Sequence, residues 1–150
     1  MSVPQRVLAA VLAVLLGAQA IGKLLDMRLY VVALDRFRAL PKNATLTVAI
    51  VWVVIELLAL LGLGAAALRP SRTAAMVGAA AALTDAVAYA ALTIGTRARG
   101  IEVFNCTCFG AFLPQRLSTS VLIQDMVMVA WTLWTMRTAL HFAGGTSPSP

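Results

Sequence analysis

Four long apolar runs dominate the pattern of hydrophobic and polar positions along the chain, and shorter polar stretches separate them. The runs cover about residues 7–25, 44–68, 73–94 and 121–140. Each is close to or above the roughly 20 residues that an α-helix needs to cross a bilayer. The pattern therefore predicts an all-α fold, an integral membrane four-helix bundle in one domain over residues 1–143, followed by a disordered tail at 144–150.

The first run also has features of a secretory signal peptide. Arg6 precedes the apolar stretch, and Ala18-Gln19-Ala20 has the small-residue pattern of a cleavage site. The apolar stretch nevertheless continues to Leu25, which brings it near spanning length. Retention as the first span is the favoured prediction, and cleavage is the alternative.

The segment between the first two runs has a different pattern. From Lys23 to Pro41, charged residues are interleaved with apolar residues that recur at helical spacing. This pattern predicts an amphipathic helix that lies in the membrane interface between spans 1 and 2 and ends at Pro41. An ordinary helix packed on the bundle would have the same pattern.

Composition supports the membrane prediction. Hydrophobic residues make up 61% of the chain and charged residues 12%, with a mean hydropathy of +0.88, which is far more apolar than a soluble domain. The net charge of +6 comes from basic residues at the ends of the runs, where they suit lipid headgroups. We therefore expect the lipid bilayer as a partner and no nucleic acid.

Reactive chemistry is concentrated in the polar connection between the third and fourth runs, which holds both cysteines, Cys106 and Cys108. A disulfide between positions i and i+2 needs a sharp backbone bend, so it would be strained and labile. Redox exchange and a structural staple, or two inert thiols, remain open alternatives. A zinc site needs about four ligands, and the single histidine, His141, lies far along the chain, so no metal is predicted.

Polar residues also interrupt the apolar runs. Gln19, Glu56 and Asp85 each fall about twelve residues into their spans, which corresponds to roughly 18 Å of helix, so they could share one layer. Tyr89 lies one turn after Asp85 and could donate a hydrogen bond. Ionisable groups at this depth are candidates for function. The two interpretations are a structural clamp with protonated carboxyl groups, and a site for a proton, a quinone or a substrate.

A second polar group is predicted at the membrane face that bears the cysteines. Lys23 and Asp26 end the first span, and Asp125 begins the fourth. Lys23 could pair with Asp125 or Asp26 beneath the cysteine loop, where a cation would favour a thiolate. A simple salt bridge between helix ends is the alternative.

Several short motifs together resemble the MauE family, which is named for methylamine utilisation and is similar to DoxX-like four-helix membrane proteins. They are Gly22-Lys23-Leu24 with Asp26, Leu40-Pro41, Glu56-Leu57, Gly62-Leu63-Gly64, Arg99-Gly100 and Cys106-Thr107-Cys108-Phe109-Gly110. The resemblance implies a four-helix bundle in a bacterial cytoplasmic membrane. It also implies disulfide formation or electron transfer to extracytoplasmic partner proteins, with Cys106 and Cys108 as the redox pair.

The basic residues and the redox chemistry disagree about orientation. One side carries Arg6, Arg69, Arg72 and Arg137, and the other carries Lys23, Arg28, Arg36, Arg38, Lys42, Arg97, Arg99 and Arg116. The positive-inside rule places the second side, with the cysteine loop, in the cytoplasm, where disulfides are kept reduced. Five of its eight charges belong to or adjoin the predicted interfacial segment. An extracytoplasmic cysteine loop is therefore favoured.

Two functions follow as hypotheses. The favoured one is thiol-disulfide redox assistance with a thioredoxin-like partner and a quinone as the candidate cofactor, and a single cysteine pair argues against an autonomous oxidase. The alternative is a non-catalytic accessory subunit that stabilises or regulates a larger envelope complex, such as a lipid or solute transporter. A small-molecule carrier is weaker, because the chain has no visible internal repeat.

Overall fold

The protein is all-helical wherever its structure is described. The computed structural model describes residues 3–69, 71–103 and 118–141, except for the side chains of Ala139 and His141. Its helices are α1 (Val3–Leu25), α2 (Met27–Arg36), α3 (Thr45–Leu68), α4 (Arg72–Ala98) and α5 (Thr119–His141). No strand occurs within these ranges, so the all-α prediction is confirmed there.

The long helices have the dimensions of membrane spans. Within the described ranges, three helices are long and apolar enough to cross a membrane, and these are α1, α3 and α4. The shortest of them has 23 residues, or about 35 Å at the usual helical rise, against a hydrocarbon core of about 30 Å. The chain is therefore a multi-pass membrane protein. Helix α5 matches α1 in length but is not among these three, so the fourth span stays a prediction.

Long helices that are neighbours in the bundle run antiparallel to each other. Helix α3 packs against α1 and α4, and α4 packs in turn against α5. The C-termini of α1 and α4 and the N-termini of α3 and α5 consequently lie at the same end, which also carries α2. This end is called the loop end below, because the connection with the cysteines leaves and re-enters the bundle there.

Two glycines, Gly62 on α3 and Gly78 on α4, bring the backbones of their helices into contact. A Cβ atom added to Gly62 would lie 2.6 Å from the Cα of Gly78, and one added to Gly78 would lie 2.4 Å from the backbone nitrogen of Leu63. Both distances are too short for carbon, so α3 and α4 are in backbone contact here. Gly78 is followed at four-residue spacing by Ala82, Ala86 and Ala90, so small buried residues line one face of α4.

Helix α2 is a separate short element, and the predicted amphipathic segment over 23–41 is too long. Asp26 interrupts the helix and its carboxylate accepts a hydrogen bond from the Leu29 backbone N–H at 2.8 Å, which makes it the N-cap of α2. Lys23 therefore belongs to α1. Tyr30 and Leu34 are buried against the bundle, and the opposite face exposes Arg28, Leu29, Val32 and Arg36. A location of α2 in the membrane interface remains a prediction.

Candidate functional site

A buried group of charged side chains lies inside the bundle near the loop end. Lys23 follows Leu12, Leu16 and Ala20 on the buried face of α1, and Glu56 follows Val53 on the buried face of α3. Both side chains are completely buried. Lys23 and Glu56 therefore lie on the otherwise apolar buried faces of α1 and α3, which places both charges in the interior.

Lys23 forms a buried salt bridge with Glu56. Its Nζ atom donates a hydrogen bond to Glu56 Oε1. The predicted pairing of Lys23 with Asp125 or Asp26 is therefore wrong. Helical side chains tilt towards the N-terminus of their helix, so Lys23 extends from the end of α1 back into the bundle and away from the loop. The Lys23 charge is consequently paired with Glu56 inside the bundle.

Two tyrosines enclose the Lys23 ammonium group. Nζ lies 4.7 Å from the ring centroid of Tyr89 and 5.1 Å from that of Tyr30, both within range for cation–π attraction. The two phenolic oxygens are 3.3 Å apart, and both rings are buried. Tyr30 lies on α2 and Tyr89 on α4, so the lysine also links these two helices.

Asp85 completes the charged group from the α4 side. It accepts a hydrogen bond of 2.6 Å from Trp52 Nε1. It also lies near enough to Lys23 and Glu56 to interact electrostatically with both. The Trp52 ring packs on Tyr89, with 4.6 Å between ring centroids and 55° between ring planes. Below, "the polar cluster" denotes this set of six residues, which are Lys23, Tyr30, Trp52, Glu56, Asp85 and Tyr89.

The sequence pattern identified four of these six residues and missed Trp52 and Tyr30. Trp52 lies one helical turn before Glu56, so the i, i+4 spacing could have placed both on one face of α3. No comparable signal existed for Tyr30, because the break at Asp26 changes the direction of the chain. Its position could not follow from the periodicity of α1.

Gln19 lies in the interior as well, but its side chain makes no hydrogen bond to the polar cluster. Its side chain is 7% exposed, and its Oε1 atom accepts no hydrogen bond from the described part of the protein. It is located one turn before Lys23 on α1. The structure thus brings Glu56, Asp85 and Tyr89 of the predicted layer together around Lys23. Gln19 takes no part in the hydrogen bonds of this group.

Asp125 forms a separate link between α4 and α5. It accepts a hydrogen bond of 2.9 Å from Thr93 Oγ1 and is largely buried. Asp85, Tyr89 and Thr93 follow each other at four-residue spacing, so all three lie on one face of α4. Asp125 also interacts electrostatically with Asp85, which extends the line of acidic groups from the polar cluster towards α5.

An apolar layer covers the loop-end side of Tyr89. Phe37, Tyr89, Val103 and Val121 form one buried cluster, which is called the apolar cover below. Gly100 ends α4 in the left-handed conformation, with φ of 67°. The chain therefore turns back at this glycine and buries Val103 in the cover, only three residues before Cys106. Cys106 and Cys108 themselves lie outside the described residues.

Arg99 fixes the start of the same connection. Its guanidinium donates to the carbonyl oxygens of Gly95, Phe37 and Arg38 at 2.9, 2.9 and 2.8 Å. These bonds join the end of α4 to the chain that follows α2. Within the described part of the chain, no group of three or more His, Cys, Asp or Glu residues could hold a metal ion.

The arrangement of spans and buried charges is that of a small multi-pass helical membrane protein. A family model described as methylamine utilisation protein MauE matches residues 1–137, which is nearly the whole chain. The chain therefore belongs to the MauE family. No curated protein and no solved structure shows a significant match to it.

Proposed function

We propose that the protein is a membrane component of thiol-disulfide exchange with extracytoplasmic proteins, through Cys106 and Cys108. In each exchange, the thiolate of one cysteine attacks the disulfide of a thioredoxin-like partner and releases one partner thiolate. The second cysteine then attacks the mixed disulfide, so Cys106 and Cys108 become oxidised and the partner becomes a dithiol. The reverse sequence passes the disulfide to a partner that needs one.

The observation that carries this proposal is the anchoring of both flanks of the cysteine segment. Val103 on one side and Val121 on the other are buried in the same apolar cover. Arg99 adds three hydrogen bonds at the beginning of the connection. A reactive segment held on rigid elements can present its thiols to a partner in a defined position. Membership of the MauE family supports the same assignment.

A single cysteine pair suits a protein that transfers a disulfide between two other components. The chain contains two cysteines, so a partner protein has to supply the second pair for each exchange. A quinone is the candidate for a final electron acceptor, in which case the dithiol would become a disulfide and the quinone would take up two electrons and two protons. We propose a bacterial inner membrane location, with the cysteine segment on the extracytoplasmic side.

Redox titration of the purified protein tests whether the cysteine pair can take part in exchange. We expect Cys106 and Cys108 to interconvert between dithiol and disulfide in glutathione buffers, read by thiol alkylation and mass spectrometry, because a disulfide in so small a ring is strained. Thr107→Ala serves as a control that leaves both thiols in place. A disulfide that resists glutathione in the folded protein, or thiols that never form one, would exclude the redox function.

A specific surface feature supports the accessory-subunit alternative. Leu8 of α1 and Val127, Ala130, Trp131 and Trp134 of α5 line an apolar surface groove of about 390 Å³. The transmembrane helix of a larger envelope complex, such as a transporter, could pack there. On this hypothesis Ala130→Trp would fill the groove and abolish co-purification of that complex. A variant that retains the complex at unchanged stoichiometry would argue against the groove as the contact.

A further inference from the structure

We propose that Glu56 and Asp85 share one exchangeable proton and form, together with Lys23, a proton-binding site inside the membrane domain. This inference goes beyond the proposed thiol chemistry and does not depend on it, because none of its groups is a cysteine. It rests on the charge balance of the polar cluster and on one buried oxygen atom of Glu56.

The charge balance favours one bound proton. Lys23 contributes one positive charge, and Glu56 and Asp85 would contribute two negative charges if both were ionised. Lys23 and Glu56 are fully buried and Asp85 is 4% exposed, so an uncompensated charge would carry a large desolvation cost. One proton on the carboxyl pair makes the three groups neutral in sum. Two carboxylates that interact electrostatically also disfavour double ionisation by mutual repulsion.

The hydrogen bonds favour the same position for that proton. Glu56 Oε1 accepts from Lys23, whereas Glu56 Oε2 is buried without a hydrogen-bond donor from any described residue. Asp85 interacts electrostatically with Glu56 and is held by Trp52, which lies one turn before Glu56 on α3. Two ionised carboxylates have no proton to donate to each other. A proton between the two groups turns one of them into a donor and satisfies the buried oxygen.

The groups around this pair come from all five helices and include a cation, hydrogen-bond donors and one further carboxylate. Lys23 of α1 neutralises one carboxylate, and Trp52 of α3 donates to Asp85. The phenols of Tyr30 and Tyr89, from α2 and α4, face the lysine. Asp125 of α5 has its own donor in Thr93, and its interaction with Asp85 adds negative potential, which further favours the shared proton.

The route for exchange is indicated by Tyr89, which belongs to both the polar cluster and the apolar cover. Movement of the cover would admit water to the cluster from the loop end. Since Val103 is part of the cover, such movement includes the beginning of the cysteine connection. Proton exchange at Glu56 and Asp85 is therefore expected to be slow while the cover is closed.

Infrared spectroscopy tests the proton directly. The chain has two glutamates, Glu56 and Glu102, and Glu102 is exposed. We expect a band from a buried protonated carboxyl group that shifts slowly in D₂O and responds to ¹³C-carboxyl labelling of glutamate or aspartate. The band should disappear in both Glu56→Gln and Asp85→Asn. The band should persist in the control Glu102→Gln. A difference spectrum with no protonated carboxyl lost in either variant would overturn the proposal.

Thermal unfolding in detergent supplies a second test. If the two carboxyl groups share one proton, the pair carries one negative charge in the wild type. Each single amide variant keeps one carboxylate and therefore the same charge, so its unfolding midpoint should stay near that of the wild type. The double variant Glu56→Gln/Asp85→Asn leaves Lys23 without a counter-charge and should unfold at a clearly lower temperature. Adding Lys23→Met to the double variant should restore part of the loss. Equal, large losses in both single variants would contradict a shared proton.

Discussion

At the scale of single residues, the polar cluster is explained by the direction and chemistry of a few side chains. Lys23 lies near the end of a membrane helix, where a lysine commonly extends towards water. Here it instead extends inwards to Glu56 and lies between the rings of Tyr30 and Tyr89. The carboxylate and the two aromatic faces replace the hydration that the ammonium group loses on burial.

Replacement of Lys23 by methionine should strongly destabilise the protein. The variant keeps most of the side-chain volume but leaves the carboxyl pair without its cation, and breaking a buried ion pair costs about 3–5 kcal/mol. The measurement is reversible or kinetic unfolding in detergent micelles. Arg28→Met, at an exposed position of α2, is the matched control and should change stability by no more than about 0.5 kcal/mol. Equal stability of the two variants would show that the ion pair contributes little.

At the scale of helices, the bundle depends on close packing of small residues between α3 and α4. The contact of Gly62 with Gly78 leaves no room for a side chain. It determines how near α3 and α4 approach each other, and thus how Glu56 on one helix meets Asp85 on the other. Packing at these glycines therefore also positions the two carboxyl groups.

Gly78→Ala should destabilise the bundle, although alanine favours a helix more than glycine does. The added Cβ would lie 2.4 Å from the backbone of α3, so the helices have to separate at a cost of about 1–3 kcal/mol. Gly64→Ala is the control, because nothing lies within 4 Å of its added Cβ, and it should be neutral or stabilising by up to about 1 kcal/mol. Thermal unfolding compares the two, and a destabilised Gly64→Ala with an unaffected Gly78→Ala would contradict this packing.

The sequence alone was sufficient for the helices and for part of the site. Long apolar runs predict spans because lipid requires a helical backbone, and acidic residues deep in these runs pointed to Glu56 and Asp85. The partner of Lys23 was predicted wrongly, because the prediction did not apply the tilt of helical side chains towards the helix N-terminus, which directs Lys23 from the end of α1 into the bundle. Tyr30 was missed because its position depends on the direction that α2 takes after the break at Asp26, which the periodicity of α1 does not contain.

At the scale of the whole molecule, the charge distribution and the proposed redox function predict opposite orientations. The structure changes how the basic residues are counted, because Lys23 is paired with Glu56 inside the bundle and is not a surface charge at the loop end. Arg99 is bonded to backbone carbonyls but is exposed and keeps its charge there. Arg6 at the opposite end is similarly bonded to the carbonyl oxygens of Ala67 and Leu68.

Orientation can be measured with a membrane-impermeant maleimide on intact spheroplasts after mild reduction. We expect Cys106 and Cys108 to be labelled without permeabilisation, because the proposed exchange takes place with extracytoplasmic proteins. The variant Cys106→Ser/Cys108→Ser, in which both native thiols are absent, gives the background. Labelling that requires permeabilised membranes would place the cysteines in the cytoplasm, in agreement with the positive-inside rule.

The most direct test of the proposed function is capture of the exchange partner in native membranes. Cells that produce the wild type, Cys106→Ser, Cys108→Ser or the double variant are quenched with acid and alkylated, and the protein is purified and analysed by mass spectrometry. A single-cysteine variant cannot resolve a mixed disulfide, so we predict a reducible adduct with a thioredoxin-like or cysteine-containing extracytoplasmic protein in at least one single variant, and none in the double variant. Absence of any mixed disulfide, together with a stoichiometric larger complex in all four samples, would contradict thiol exchange and support the accessory-subunit function.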